Sequence, residues 1–195
     1  VFNKRPIKSS LIYKKWQNNK KPIIYITGGK TGSKIINQTI KKITPQLTKN
    51  YFVIHQFGLD TKTKLKPLTD YLPIKFITSN EIGWVMNTAK IIVSRAGANT
   101  VFELLALNKP SVLIPIPWSS ENEQYKNALF LKNQGLAEIL PQDKLTGKNL
   151  LAKIIKIEKN YENYQAKKNF KIDLKTADKN LLKLVEKIIA TAYES

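Results

Sequence analysis

Three short stretches of this 195-residue chain combine small residues with polar ones in patterns suited to an anion or a polyol. The first is Gly28-Gly29-Lys30-Thr31-Gly32-Ser33. Its glycines allow a backbone to approach a ligand, and a helix starting there turns its N-terminus toward an anion. Gly29-Lys30-Thr31 is like the end of a P-loop, but P-loop spacing requires glycine where Ile24 stands. The spaced glycines of a dinucleotide fingerprint are also missing, and a tight turn is the plain alternative. The second stretch is Ser94-Arg95-Ala96-Gly97-Ala98-Asn99-Thr100. Small residues leave the N–H groups of a helix start open, and Arg95 supplies a fixed planar cation. Glu103, one turn further, faces the same mouth with a carboxylate suited to grip a ribose diol. Its plain alternative is a favourable position in the helix dipole. The third stretch runs from Pro115 to Asn127, where two prolines stiffen the chain before Glu123, Gln124 and Asn127 gather. Such a cluster suits several sugar hydroxyls, or equally a solvated helix cap.

These stretches need elements to hold them. Compact β-branched runs predict strands over Pro22–Thr27, Tyr51–His55, Ile74–Ile77, Lys90–Ser94 and Ser111–Pro115, with an edge strand at Leu136–Leu140. Helical periodicity predicts helices over Ser33–Leu47, Asn80–Thr88, Ala98–Leu107, about Glu121–Asn133, Leu145–Glu158 and Asp178–Ala192. Strands alternating with helices make this an α/β chain with a Rossmann-like parallel sheet and helices on both faces. In such sheets ligands bind outside the carboxyl ends of the strands, where all three stretches fall. A nucleotide-sugar site is the economical reading. Residues 1–20 read as a linker or a helix leading into a single domain over 21–195.

Composition narrows the chemistry. The chain has 33 basic and 14 acidic residues, a formal net charge of +19. That points to an anionic partner or surface, although abundant Lys, Asn and Ile throughout are also what an A/T-rich coding bias produces. The basic residues form no single stripe with interleaved aromatics, so no nucleic acid is expected. With no cysteine and one histidine, His55, thiolate chemistry and multi-histidine metal sites are excluded. There is no Asp-x-Asp pair to hold a metal on a diphosphate, and no metal or other cofactor is expected. No apolar run reaches the roughly 20 residues of a membrane span, and no signal peptide pattern opens the chain.

The run Ser94 to Leu104, then Asn108 to Pro115, then Gln124 to Ala128, resembles the C-terminal domain of the MurG-like UDP-GlcNAc transferases of glycosyltransferase family 28. Gly28 to Ser33, with Asn37-Gln38-Thr39 behind it, fits the same family's glycine loop. The resemblance covers about positions 6 to 140. It implies the C-terminal, donor-binding half of a two-domain GT-B enzyme. It implies that Ile77 backbone meets uracil and that Gly29, Lys30 and Thr31 line the glycine loop. Ala98, Asn99, Thr100, Val101 and Phe102 would form the helix start at the diphosphate, helped by Arg95. Glu103 would hold the ribose, and Gln124 with Glu123 the GlcNAc hydroxyls, with Asn127 supporting that loop. Lys8 stands loosely where the family has an arginine. The family's serine and glutamine after its paired glycines are Lys30 and Thr31 here, and its pair of glutamines is Glu123-Gln124.

The resemblance further implies UDP-GlcNAc as donor and a lipid-linked acceptor, with lipid II synthesis in the cell wall leading. An N-terminal acceptor domain or a separate subunit would complete the site, at the cytoplasmic face of an anionic inner membrane. No residue of this chain is assigned a catalytic role; His55 reads as a packed or surface histidine. Two alternatives stand beside this. One is the donor subunit of a split, dolichol-type GlcNAc transferase. The other is a non-enzymatic basic module for anionic polymers or membrane. A sugar-nucleotide epimerase on an ordinary α/β sheet is disfavoured by the missing glycine spacing.

Overall fold

Ile23–Thr27 (β1) is an unbroken run of five buried residues, the pattern of a strand covered on both faces. In the computed structural model, which describes residues 5–60 and 63–166, it lies near the middle of a six-stranded parallel sheet. The other strands are Phe52–Gln56 (β2), Tyr71–Ile74 (β3), Ile91–Ser94 (β4), Ser111–Leu113 (β5) and Ala137–Ile139 (β6). Their order is β3-β2-β1-β4-β5-β6. The chain leaves β1 toward one side and β4 toward the other, so a crevice opens between their carboxyl ends. The helices are Leu11–Trp16 (α1), Lys34–Asn50 (α2), Ser79–Thr88 (α3), Ala98–Ala106 (α4), Glu123–Asn133 (α5) and Gly147–Lys159 (α6). All of them belong to one compact unit, Phe2–Ala166. The helix expected over Asp178–Ala192 lies outside the described residues.

The period-2 alternation of the strands sorts the core into two layers. Ile24, Ile26, Val53, Ile91 and Val93 pack with Ile36, Ile40, Ile43 and Leu47 of α2 and with Leu150, Ile154 and Ile157 of α6. Tyr25, Thr27, Gln56 and Ile92 face the other way, toward Ile82 and Met86 of α3 and Thr100 and Glu103 of α4. The first layer is apolar and closed. The second keeps a polar opening at its upper end. Ahead of β1, α1 buries Ile12 and sets Trp16 edge-on to Trp84 of α3 at 5.5 Å between ring centroids.

Several boundaries depart from expectation, among them those of β3, α2 and α5. The third strand was expected over Ile74–Ile77, but β3 is Tyr71–Ile74 and contains Pro73. Proline reads as a strand breaker, yet an edge strand tolerates one where no ladder bond is needed. Lys75 to Ile77 still bond to the β2 exit, through Gly58 N–H to Lys75 O and Ile77 N–H to Gln56 Oε1. Helix α2 runs past its expected end at Leu47 to Asn50, despite Pro45 inside it. Helix α5 starts at Glu123 rather than Glu121, because Glu121 and Asn122 sit at φ 48° and 57° in the left-handed region.

Candidate functional site

At the carboxyl ends of β1, β2 and β4 the second layer opens into a cavity of about 450 Å³. Its walls come from Tyr25, Thr27, Gly29, Lys30, Gln56, Phe76, Ile77, Ile82, Met86, Ile92, Thr100 and Glu103. One end is apolar and aromatic, with Phe76, Ile82 and Met86. The other carries Glu103, Thr100 and Lys30. Five residues singled out from the sequence therefore meet here: Gly29, Lys30, Ile77, Thr100 and Glu103. Thr100 and Glu103 share a face of α4 because they are three residues apart.

The glycine loop is built by backbone contacts. Gly29 N–H bonds Thr27 Oγ1 at 3.0 Å, and Gly32 N–H closes a turn on Gly29 O at 3.1 Å. Gly32, at φ 79°, lies so close to the loop after β2 that a Cβ would strike Phe57 O. Gly58, at φ 70°, answers it: a Cβ there would strike Gly32 N. Leu59 N–H then bonds Thr31 O at 3.0 Å. The loop is thus a tight turn whose Gly29 and Lys30 line the cavity. Gly29 needs its glycine only for φ 87°, since nothing lies within 4 Å of a Cβ there.

Helix α4 begins at Gly97 with no side-chain cap, and open space surrounds the Cβ position of Gly97. Val101 N–H is already bonded to Gly97 O, so the N–H groups of this helix start without a partner among the described residues belong to Ala98, Asn99 and Thr100. Val101 is 2% exposed, a core residue. Phe102 is half-buried and does not line the cavity. Burial raises the Glu103 carboxyl above its ordinary pKa. Burial also drives the Tyr25 phenol far above its own, with the nearby Glu103 charge adding to the effect.

Arg95 is not among the residues that line the cavity. Its Nη1 donates to Ile114 O at 3.1 Å, and its Nη2 to Ser33 Oγ and Gln142 Oε1, both at 2.7 Å. From the exit of β4 the guanidinium ties together the exits of β1, β5 and β6, and burial lowers its pKa to about 10. Gln124 Oε1 bridges two loops, accepting from Ala96 N–H at 3.3 Å and from Ile116 N–H at 3.1 Å. Asn127 donates to Ala96 O at 3.2 Å and to Glu123 at 3.5 Å, pinning the same two loops. Glu123, Thr31 and Lys8 are exposed and outside the cavity walls.

Tyr25, Gln56, Ile82 and Met86, which the sequence did not single out, also face the opening. Buried Ser94 Oγ, at the carboxyl end of β4, bonds no other described residue. His55 is 0% exposed and belongs to the closed layer instead. Its Nδ1 meets Tyr71 Oη at 2.9 Å and its Nε2 meets Asn37 Oδ1 at 3.0 Å. Asn37 Nδ2 then donates to Phe57 O and Asp60 Oδ2 at the back of the glycine loop. Desolvation lowers the His55 pKa to about 4. The Nε2 neighbour is thus an uncharged amide, and the ring is a packed histidine.

The family model for the glycosyltransferase family 28 C-terminal domain matches residues 23–185 of this chain. A UDP-N-acetylglucosamine--N-acetylmuramyl-(pentapeptide) pyrophosphoryl-undecaprenol N-acetylglucosamine transferase from Clostridium kluyveri is 37% identical over 171 residues. The match covers 87% of this chain and 48% of that protein, so the chain spans about half the length of such relatives. The crystal structure of Acinetobacter baumannii MurG superposes with a TM-score of 0.59 at 26% identity, over 77% of this chain and 45% of that one. CalG4, the calicheamicin glycosyltransferase, gives a TM-score of 0.59 at 16% identity over 86% of this chain and 44% of its own, a likeness of fold alone.

Proposed function

The chain belongs to glycosyltransferase family 28, whose C-terminal domain it carries, and from that premise we propose that its cavity binds the UDP-GlcNAc donor of an inverting transfer to a lipid-linked acceptor. The observation that supports this most is the placement of Glu103. A half-buried carboxylate lies beside the uncapped start of α4, in a cavity whose far end is apolar. Those are the needs of a nucleoside diphosphate: a flat ring, a diol and an anion in sequence. Phe76, Ile82 and Met86 take the base and Ile77 its backbone edge. Glu103 takes both ribose hydroxyls. The N–H groups of Ala98, Asn99 and Thr100, with Lys30, meet the diphosphate without a metal ion. Glu123, Gln124 and Asn127 hold the loop beside the sugar.

In the transfer, an acceptor hydroxyl attacks the anomeric carbon of GlcNAc from the face opposite UDP. The bond from that carbon to the diphosphate oxygen breaks, and UDP leaves with the electron pair. Donors fixed at the helix start stabilise the charge as it grows on the leaving oxygen. The proton of the acceptor hydroxyl passes to a base that an acceptor-binding domain or separate subunit supplies. The names of the curated relatives favour undecaprenyl-pyrophosphoryl-MurNAc-pentapeptide as acceptor, the step that completes lipid II.

Calorimetric titration tests the donor site. UDP and UDP-GlcNAc are expected to bind saturably and ADP more weakly. Glu103→Ala is expected to weaken UDP by about a hundredfold, the worth of two hydrogen bonds to a charged group. Equal binding of ADP and UDP, or an unaffected Glu103→Ala, defeats the reading. We further propose that the chain works at the cytoplasmic face of an anionic membrane. Among the described residues no helix is long and apolar enough to cross a bilayer. The net charge of +19 favours peripheral attachment, each lysine near an anionic surface adding about 1 kcal/mol. The chain is expected to sediment with phosphatidylglycerol vesicles at low salt and to be released by high salt. Remaining in the supernatant at low salt removes the membrane from the proposal.

A further inference from the structure

Helices α2 and α6 lie side by side over the closed layer. Their inward residues share one core, and Ile43 of α2 sits so near Gly147 that a Cβ there would strike it. What the pair turns outward is mostly lysine. Helix α2 has no acidic residue, and its Lys34, Lys41, Lys42 and Lys49 are all exposed. At about 3.6 residues per turn they fall opposite the buried Ile36, Ile40, Ile43 and Leu47. On α6, Lys148 and Lys159 are exposed opposite Leu150, Ile154 and Ile157. These six lysines have no partner among the described residues. Glu158, the one acid of α6, bonds Lys90 at 3.5 Å, while Lys153 and Lys156 are engaged with Glu138. Across the sheet α3, α4 and α5 together carry two lysines and three glutamates, against eight lysines and one glutamate on α2 and α6. The basic charge of these helices is therefore gathered on one side.

We propose that the outward face of α2 and α6 is the surface by which this chain lies on an anionic lipid bilayer. The inference rests on the membrane reading above and gives it a face. Helix α2 starts where the glycine loop ends and is 17 residues, about 25 Å, long, so its lysines run from the cavity edge of the sheet to the far edge. Contact along that row leaves the second layer, with its cavity, turned away from lipid. Two apolar side chains stand among the lysines, Ile35 at 37% and Ile155 at 46% exposure. A bilayer interface takes such groups below lysine heads that stay in water. A nucleic acid rewards stacking rings and planar forks instead, and neither helix has an aromatic residue or an arginine.

The test is cosedimentation of the purified chain with phosphatidylglycerol or phosphatidylcholine vesicles at low salt. Each lysine near an anionic surface is worth about fivefold in binding. Replacing Lys34, Lys41, Lys42, Lys49, Lys148 and Lys159 by Gln is expected to lower partition onto phosphatidylglycerol by at least about a hundredfold. The same change of charge made at Lys14, Lys15, Lys64, Lys66, Lys126 and Lys132, all exposed on other elements, is expected to cost less than about tenfold. Circular dichroism and urea midpoints establish that both variants are folded. A second readout needs no loss of binding. The three tryptophans are Trp16, Trp84 and the 73% exposed Trp118, none of them on this face. Brominated phosphatidylglycerol is expected to leave wild-type tryptophan emission unquenched and to quench the added emission of Ile155→Trp. Equal losses in the two lysine variants, or quenching of the wild type without added quenching in Ile155→Trp, overturn the face and leave membrane binding standing. Tighter binding of a single-stranded oligonucleotide than of phosphatidylglycerol vesicles at the same salt makes the occupant a nucleic acid and overturns the inference. A wild-type chain that stays in the supernatant at low salt overturns the membrane reading and this face together.

Discussion

A guanidinium that is 9% exposed must place its donors on the protein around it. Arg95 does so on Ile114 O, Ser33 Oγ and Gln142 Oε1, three groups from three different strand exits. It holds the loops from which cavity-lining groups project. Arg95→Lys keeps the charge but offers no planar fork to reach all three acceptors. It is expected to cost about 3 kcal/mol of stability in urea unfolding, since buried acceptors lose charge-assisted partners. A loss under about 0.5 kcal/mol, the level of a surface substitution, refutes the clamp. Gln124 Oε1 likewise braces the backbone N–H groups of Ala96 and Ile116. A polar side chain at a predicted ligand loop is legible from the sequence, but its choice between ligand and backbone is not, because that choice depends on which carbonyls and amides the fold brings within 3 Å.

At the scale of elements, the two glycine positions of the first loop separate two physical demands. Gly29 and Gly32 both have φ in the left-handed region, but only Gly32 has another backbone against its Cβ position. Gly29→Ala is expected to cost about 1–2 kcal/mol, the left-handed strain of an L residue. Gly32→Ala adds a collision with Phe57 O and is expected to cost at least about 4 kcal/mol or to prevent folding. Thermal or urea unfolding checks the order; equal costs contradict the packed-loop geometry. Five strands were legible because β1, β2, β4, β5 and β6 are short, apolar and closed by turns. The third was displaced because Pro73 hid it, and its place depends on pairing with β2, which no local pattern encodes. The helix starts at Lys34 and Ala98 were legible, and with them Gly29, Lys30, Thr100 and Glu103. Tyr25 and Gln56 were not, since a strand residue facing a cavity and one facing a core look alike in one dimension.

For the whole molecule, acid sensitivity follows from two buried groups on the same face of the sheet. His55 has an ordinary pKa of 6.5 that burial lowers to about 4. The unfolded chain therefore takes up a proton in that interval while the folded chain does not. Stability is complete above pH 6.5 and falls as the pH drops toward 4, by about 3 kcal/mol. Glu138 of β6 acts lower down. Burial alone would raise its pKa, but Lys153, Lys156 and Tyr164 bring it to about 2, so its share persists above pH 4.5 and is lost toward pH 2. Urea midpoints measured from pH 7 to 4 are expected to slope for the wild type and to flatten between pH 6.5 and 5 in His55→Gln; an unchanged slope rules the histidine out. The rim of the sheet at β3 has a further consequence. Asp70 O and Ile74 O accept bonds from β2, so by alternation Tyr71 and Pro73 turn their backbone outward. Tyr71 N–H and Tyr71 O are both taken by Leu68, and Pro73 has no N–H to offer. This rim presents no row of vacant donors to a second chain, so a strand from a neighbouring molecule finds no template there, and crowding of many copies at one surface does not recruit this edge into intermolecular β-structure.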